Sequence, residues 1–244
     1  MGTFRFKRFD VVNERSAMKV NTDGVLLGAA MTVRPSDRRL LDIGTGTGTI
    51  ALMAAQRMSD LDQPFVSIEA IDMDQVSAEE AAFNFSNSPW ADTLKAMNVS
   101  LDDYARSLSD DDSFDLIFSN PPYFDDSLQA PQERRNNARH TTTGLSYREI
   151  LDFAASRLSE EGRVAMVLPS DVEHDLLRHA RMNGLFLFNI LRVRTVERKN
   201  PKRIIAEFSR HRCESPQDQI LTIQKEGRYS HEYLSLTHGF YLFA

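Results

Sequence analysis

A single cysteine, Cys213, stands among 244 residues. It excludes an internal disulfide and leaves no cysteine cluster for zinc. No apolar run is long enough to span a bilayer. The first ten residues, Met1 to Asp10, alternate aromatic and basic side chains where a signal peptide would need an apolar core. These absences predict a soluble, cytoplasmic protein without a membrane partner. There is no internal repeat and no low-complexity linker, so one domain is expected over residues 1–244. Hydrophobic residues at 41% and charged residues at 26% are ordinary globular values, which excludes global disorder.

Excess positive charge is also missing. The net charge is −6, which alone argues against a nucleic-acid partner. Its distribution argues the other way. Between Arg192 and Arg212 lie eight Arg or Lys against Glu197 and Glu207, a local net of +6. The acids gather elsewhere, at Asp102-Asp103, Asp110 to Asp112 and Asp125-Asp126.

What is present is an alternation of strands and helices. Arg39 to Ile43, Val66 to Ile71, Phe114 to Phe118 and Arg163 to Leu168 are predicted as short buried strands. Thr49 to Met58, Gln75 to Phe85 and Tyr147 to Leu158 are predicted as helices, the last stopped by Gly162. This order implies a mainly parallel sheet with helices on both faces. Phe186 to Val196 and Ile204 to Phe208 are predicted as an antiparallel hairpin at the end of the sheet. Residues 218–244 are expected to form a last strand, a loop and an aromatic tail.

The run Asp42-Ile43-Gly44-Thr45-Gly46-Thr47-Gly48 sits between a strand and a helix, where an open α/β sheet binds ligands. Its glycine spacing is not that of dinucleotide folds. An acid two residues before the first glycine is unhelpful for a pyrophosphate. It suits a ligand carrying an ammonium and a sulfonium, as S-adenosylmethionine does. Gly44, Thr45, Gly46 and Gly48 are therefore expected around the cofactor with Asp42. Asp72, at the end of the next strand, is expected to accept from ribose hydroxyls. Met73 is placed against the adenine face. Leu101 and Asp102, in the segment Ser100 to Asp103, are placed at the rim of the adenine pocket.

Asn120-Pro121-Pro122-Tyr123 follows a strand directly. Two prolines stiffen the loop and remove two backbone donors. The Asn120 side-chain oxygen and the Pro121 carbonyl can then serve as fixed acceptors for the two N–H groups of a planar amine. Tyr123 supplies a face for stacking. Catalysis would be positioning and electrostatics, without a metal.

These two motifs resemble the class I methyltransferases of exocyclic amines and glutamine amides, with their Rossmann-like α/β fold and seven-stranded sheet. Further matches narrow the resemblance to the bacterial tRNA1(Val) adenine-N6 methyltransferases. They are the block Met18 to Gly28, Arg139-His140 with Leu145-Ser146-Tyr147, Pro201-Lys202-Arg203 and the closing Phe240 to Phe243. The resemblance implies methylation of adenosine 37 beside the anticodon of a valine tRNA. It also implies that Lys19, Thr22 and Asp23 close the cofactor pocket, with residues 1–36 as an extension over it. Ser100 stands where relatives often place an acid, which leaves the adenine contact open.

A tRNA partner gives the basic residues a use. Arg134, Arg135, Arg139 and His140 would meet phosphates beside a flipped base, and Arg192, Arg194, Arg198, Lys199, Lys202 and Arg203 would track the stem. A glutamine side chain in a translation factor is the alternative substrate. Such enzymes usually carry an N-terminal helical domain, and only about forty residues precede the glycine motif. A binding module without turnover is the non-enzymatic alternative. Nothing points to an obligate protein partner, and a monomer is the default expectation.

Overall fold

The chain opens with an antiparallel ribbon, β1 (Thr3–Arg5) against β2 (Asp10–Val12). Helix α1 (Thr22–Ala30) follows, started by the Asn21 side chain, which accepts from Gly24 N. The computed structural model describes residues 2–61, 66–122 and 145–244. Apolar runs then alternate with helices as β3 (Arg39–Ile43), α2 (Thr49–Asp60), β4 (Ser67–Asp72), α3 (Gln75–Ser86), β5 (Leu94–Asn98), α4 (Leu101–Ser107) and β6 (Phe114–Ser119). After α5 (Tyr147–Arg157) come β7 (Leu158–Pro169), α6 (Glu173–Met182), β8 (Phe186–Val196) and β9 (Arg203–Ser209). The chain ends with β10 (Gln217–Lys225), β11 (Arg228–Tyr229) and α7 (His231–Thr237).

The main sheet runs in the order β11-β10-β8-β9-β7-β6-β3-β4-β5. Strands β3 to β7 are mutually parallel. β9 is antiparallel to both β7 and β8, and β10 is parallel to β8. The sheet therefore has nine strands among the described residues, not seven. The β8–β9 hairpin forms as expected but does not end the sheet, because β10 and β11 add beyond it. The tail also holds a helix, α7, where a loop was expected; Ser230 caps it by accepting from Tyr233 N.

Helix α5 begins with a reciprocal capping box between Ser146 and Glu149. It ends at Arg157, before Gly162, which lies inside β7. A Cβ at Gly162 would sit 2.6 Å from the Phe114 carbonyl oxygen, so glycine there serves strand contact rather than helix termination.

Apolar side chains fill both faces of the sheet. One face packs α1, α2, α3 and α7, with Leu27, Leu52, Met53 and Phe85 at its centre. The other packs α4, α5 and α6 around Phe114, Ile150, Leu151 and Leu176. Helix α1 is thus part of the core. The segment after it is fixed by a buried ion pair, Arg163 with Asp37, whose side chains are 1% and 2% exposed. The same guanidinium donates to the Thr32 carbonyl at 2.8 Å, and buried Glu207 accepts from Thr32 N at 2.8 Å.

Candidate active site

Parallel strands end at one edge, and that edge collects the predicted residues. It carries the turn after β3, Asp72 at the end of β4, and Asn120-Pro121-Pro122 after β6. Since β8 runs in the same direction as β7, the turn 197–202 lies at this edge too.

The glycine turn is built by backbone geometry. Gly44, Gly46 and Gly48 have φ of 71°, 56° and 79°, the left-handed region that favours glycine. Gly44 N and Thr45 N donate to the Ile71 carbonyl at 2.9 and 3.0 Å, which locks the turn against β4. Gly48 has a second constraint: a Cβ there would meet Phe85 of α3 at 2.5 Å.

Two carboxylates flank the turn. Asp42 is fully buried, and its Oδ2 accepts from Thr45 Oγ1 at 2.7 Å. Its Oδ1 has no hydrogen-bond partner. Burial first, and the nearby charge of Asp72, push the carboxyl up to about 7. Asp72 is raised by burial as well, while N–H groups of Asp74 and Gly46 pull it back. Those two amides donate to Oδ1 and Oδ2 at 2.9 Å each. A carboxylate offers about four acceptor sites, so Asp72 keeps capacity for hydroxyls. An orphaned buried carboxyl oxygen and a half-committed carboxylate beside a glycine turn fit a cationic ligand with a ribose.

The N-terminal segment covers this turn. Met18, Lys19, Val20 and Asn21 line one cleft with Gly44 to Thr47 and Asn120. Of the residues assigned to closing that pocket, Lys19 is there, its Nζ donating to the Glu14 carbonyl at 2.7 Å. Thr22 and Asp23 begin α1 and do not line the cleft. Asp23 instead accepts from Arg203 Nε at 2.8 Å.

Sequence reasoning missed what holds this segment down. Glu80 of α3 accepts three backbone N–H groups, from Glu14 at 2.9 Å, Arg15 at 2.8 Å and Ser16 at 2.9 Å. Asn84, one turn on, accepts from Val12 N at 2.8 Å and donates to the Thr47 carbonyl at 2.9 Å. Ser77, Glu80 and Asn84, three polar residues at helical spacing beside the apolar Ala81 and Phe85 of α3, were the available signal.

Met73 is exposed beside Asp72. Ser100 is the N-cap of α4, accepting from Asp103 N, and Leu101 and Asp102 start that helix with Asp102 exposed. The Asn120 side chain is buried at the end of β6, its Nδ2 3.8 Å from Met18 Sδ. Tyr123, Arg134, Arg135, Arg139 and His140 lie outside the described residues.

The basic cluster divides. Arg192 donates to both Glu173 carboxylate oxygens, at 2.6 and 2.8 Å, and to Asp218 at 2.9 Å. Its charge is neutralised within the protein. Arg194 donates to Thr222 Oγ1 and the Glu197 carbonyl. Arg203 is paired with Asp23. Arg198, Lys199 and Lys202 are exposed in the turn at the candidate edge. Among the described residues no group of His, Cys, Asp or Glu could hold a metal ion, and no helix is long and apolar enough to cross a membrane.

The chain matches the family model of the methyltransferase small domain over residues 15–188. A relative from Bacteroides fragilis is 40% identical, over 98% of this chain and 97% of its own length. One from Parabacteroides distasonis is 41% identical, over 98% and 97%. Both are named tRNA1(Val) (adenine(37)-N6)-methyltransferase. A solved structure titled as a predicted O-methyltransferase, from Agrobacterium tumefaciens, shares the fold. It is 15% identical, with a TM-score of 0.64 over 89% of this chain and 96% of that one.

Proposed function

This chain belongs to the methyltransferase small domain family and, with its relatives, to the tRNA1(Val) (adenine(37)-N6)-methyltransferases; on that premise we propose that it methylates N6 of adenosine 37 in that tRNA. The methyl donor is S-adenosylmethionine, which supplies an electrophilic methyl group on a sulfonium.

In this reading the residues bind and orient. The turn Gly44-Thr45-Gly46 with Gly48 lets the donor approach the backbone closely. Asp72 holds ribose hydroxyls, the Asp42 carboxyl lies under the turn, where a cationic ligand favours its ionised form, and Lys19 helps cover it. Met73, Leu101 and Asp102 border the adenine. Thr22 and Asp23 act indirectly, by starting the helix that follows the covering segment. Asn120 Oδ1 and the Pro121 carbonyl accept from the adenine amine, and Pro122 stiffens the loop. Tyr123 stacks on the base. Arg134, Arg135, Arg139 and His140 meet phosphates beside it, with Arg198, Lys199 and Lys202 further along the RNA. We take residues 1–244 as one methyltransferase domain, monomeric, acting on the anticodon loop in the cytoplasm.

The observation that carries the reading is that Asn120 and the glycine turn line one cleft at the carboxyl edge of the sheet. The test is Asn120→Ala. It should leave donor affinity in calorimetry near the wild-type value and lower the methylation rate by at least about a hundredfold. A wild-type rate would remove Asn120 from catalysis.

A further inference from the structure

An asparagine amide is nearly symmetric in shape. A half-turn about its last bond exchanges an acceptor for a donor. Only one of the two orientations offers oxygen to a substrate amine. The residue types of the motif alone do not say which is taken.

Met18 supplies a choice. Its Sδ lies 3.8 Å from Asn120 Nδ2. A thioether has no hydrogen to donate and accepts weakly. It is satisfied by the NH2 end of the amide and repelled by the oxygen end. We infer that Met18 is a positioning residue, holding the Asn120 amide in the orientation that turns its oxygen toward the base amine. The inference rests on Asn120 being the acceptor described above. Met18 is 38% exposed, so the core does not explain its place.

A strap carries Met18 to this position. Residues 14–16 are pinned by their three N–H groups to Glu80. Ser16 is fully buried, with its Oγ 2.9 Å from Ser77 Oγ and 3.2 Å from the Met18 carbonyl; the Ser77 hydroxyl donates to Asp74 Oδ2 at 2.7 Å, so the single Ser16 hydroxyl hydrogen is shared between the Ser77 oxygen and the Met18 carbonyl. Ser77 and Glu80 are three residues apart on α3 and so share a face. Burial works against the Glu80 charge, yet the three amides hold its carboxyl below the ordinary range. Polar contacts thus run from α3 through Ser16 to the Met18 backbone, whose side chain places its sulfur at Asn120.

The test compares Met18→Leu, Asn120→Ala and the double variant in single-turnover methylation of tRNA. Donor affinity is measured in parallel by calorimetry. Leucine keeps the volume and removes the acceptor. Loss of one weak hydrogen bond should cost Met18→Leu about fivefold in rate, with donor affinity and melting temperature unchanged. The same substitution should cost nothing further once Asn120 is alanine. Ser16→Ala should lose a similar factor, and not add to Met18→Leu. A wild-type rate for Met18→Leu, or a full fivefold further loss in the Asn120→Ala background, would overturn the role of Met18. A wild-type rate for Asn120→Ala alone would instead overturn the reading of Asn120.

Discussion

The backbone N–H of Gly46 donates to Oδ2 of Asp72 across 2.9 Å, tying the turn after β3 to the end of β4. One carboxylate therefore shapes the glycine turn and faces the ribose in the proposed function. Asp72→Ala should weaken donor binding by roughly tenfold to a hundredfold, the range for losing hydrogen bonds to a charged group. Asp72→Asn, which keeps one acceptor oxygen, should fall between. Isothermal calorimetry decides it, and unchanged affinity in the alanine variant rejects Asp72 as the ribose ligand.

Asp42 makes stability depend on pH in an unusual direction. Its carboxyl titrates at about 7 in the folded chain against 3.8 for the unperturbed group. Between those values the folded state holds more protons than the unfolded one. Stability from this group is therefore fully present below pH 4 and is lost as pH rises through 7. Asp42→Asn removes the charge and keeps an acceptor for Thr45 Oγ1. It should be more stable than wild type at pH 8, by on the order of 4 kcal/mol, and nearly equal to it at pH 4. Urea midpoints of both proteins at the two pH values check the sign. A gap that does not change with pH shows that burial does not perturb Asp42.

The glycine turn was readable because its requirement is local: three backbone positions with positive φ admit little but glycine. The start of α5 was readable for the same reason, since Ser146 and Glu149 satisfy each other within one turn. Other features depend on partners far along the chain. Arg192 resembled its basic neighbours until Glu173 and Asp218 came beside it. Glu80 meets Glu14 to Ser16 across some sixty residues; the polar residues around it on α3 mark a buried polar face but not the segment that it holds. The parallel pairing of β10 with β8 was missed because a strand's apolar pattern gives its buried face but not its neighbour. Helix α7, only seven residues long, was hidden among the aromatic residues of the tail.

The split in the basic cluster predicts a split in behaviour. Replacing Arg198, Lys199 and Lys202 together should lower the slope of tRNA affinity against salt by about 2 to 3 in logarithmic terms. Arg192→Ala should leave that slope alone and reduce stability, because Glu173 and Asp218 lose their shared partner. Filter binding across a salt series and thermal melts measure the two effects. A flattened slope for Arg192→Ala with no loss of stability contradicts the assignment.

The buried pair at the opposite edge is expected to be structural. Asp37→Asn leaves the Arg163 guanidinium buried with the charge of its ion-pair partner gone, and breaking such a pair costs about 3–5 kcal/mol. Chemical denaturation should show that loss, while donor affinity, measured at a temperature where the variant is folded, stays near wild type. A stability within 1 kcal/mol of wild type, about the value of an exposed pair, contradicts a structural role for this contact.

Methylation of an adenine in tRNA is tested most directly by following the methyl group. Labelled methyl from S-adenosylmethionine is followed into total bacterial tRNA and into the protein of the same extract, and the tRNA is digested for nucleoside mass spectrometry. The expected result is N6-methyladenosine in tRNA, placed at position 37 of tRNA1(Val), formed at least about a hundredfold more slowly with Asn120→Ala. Label in protein with unlabelled tRNA contradicts it and makes a glutamine side chain the substrate.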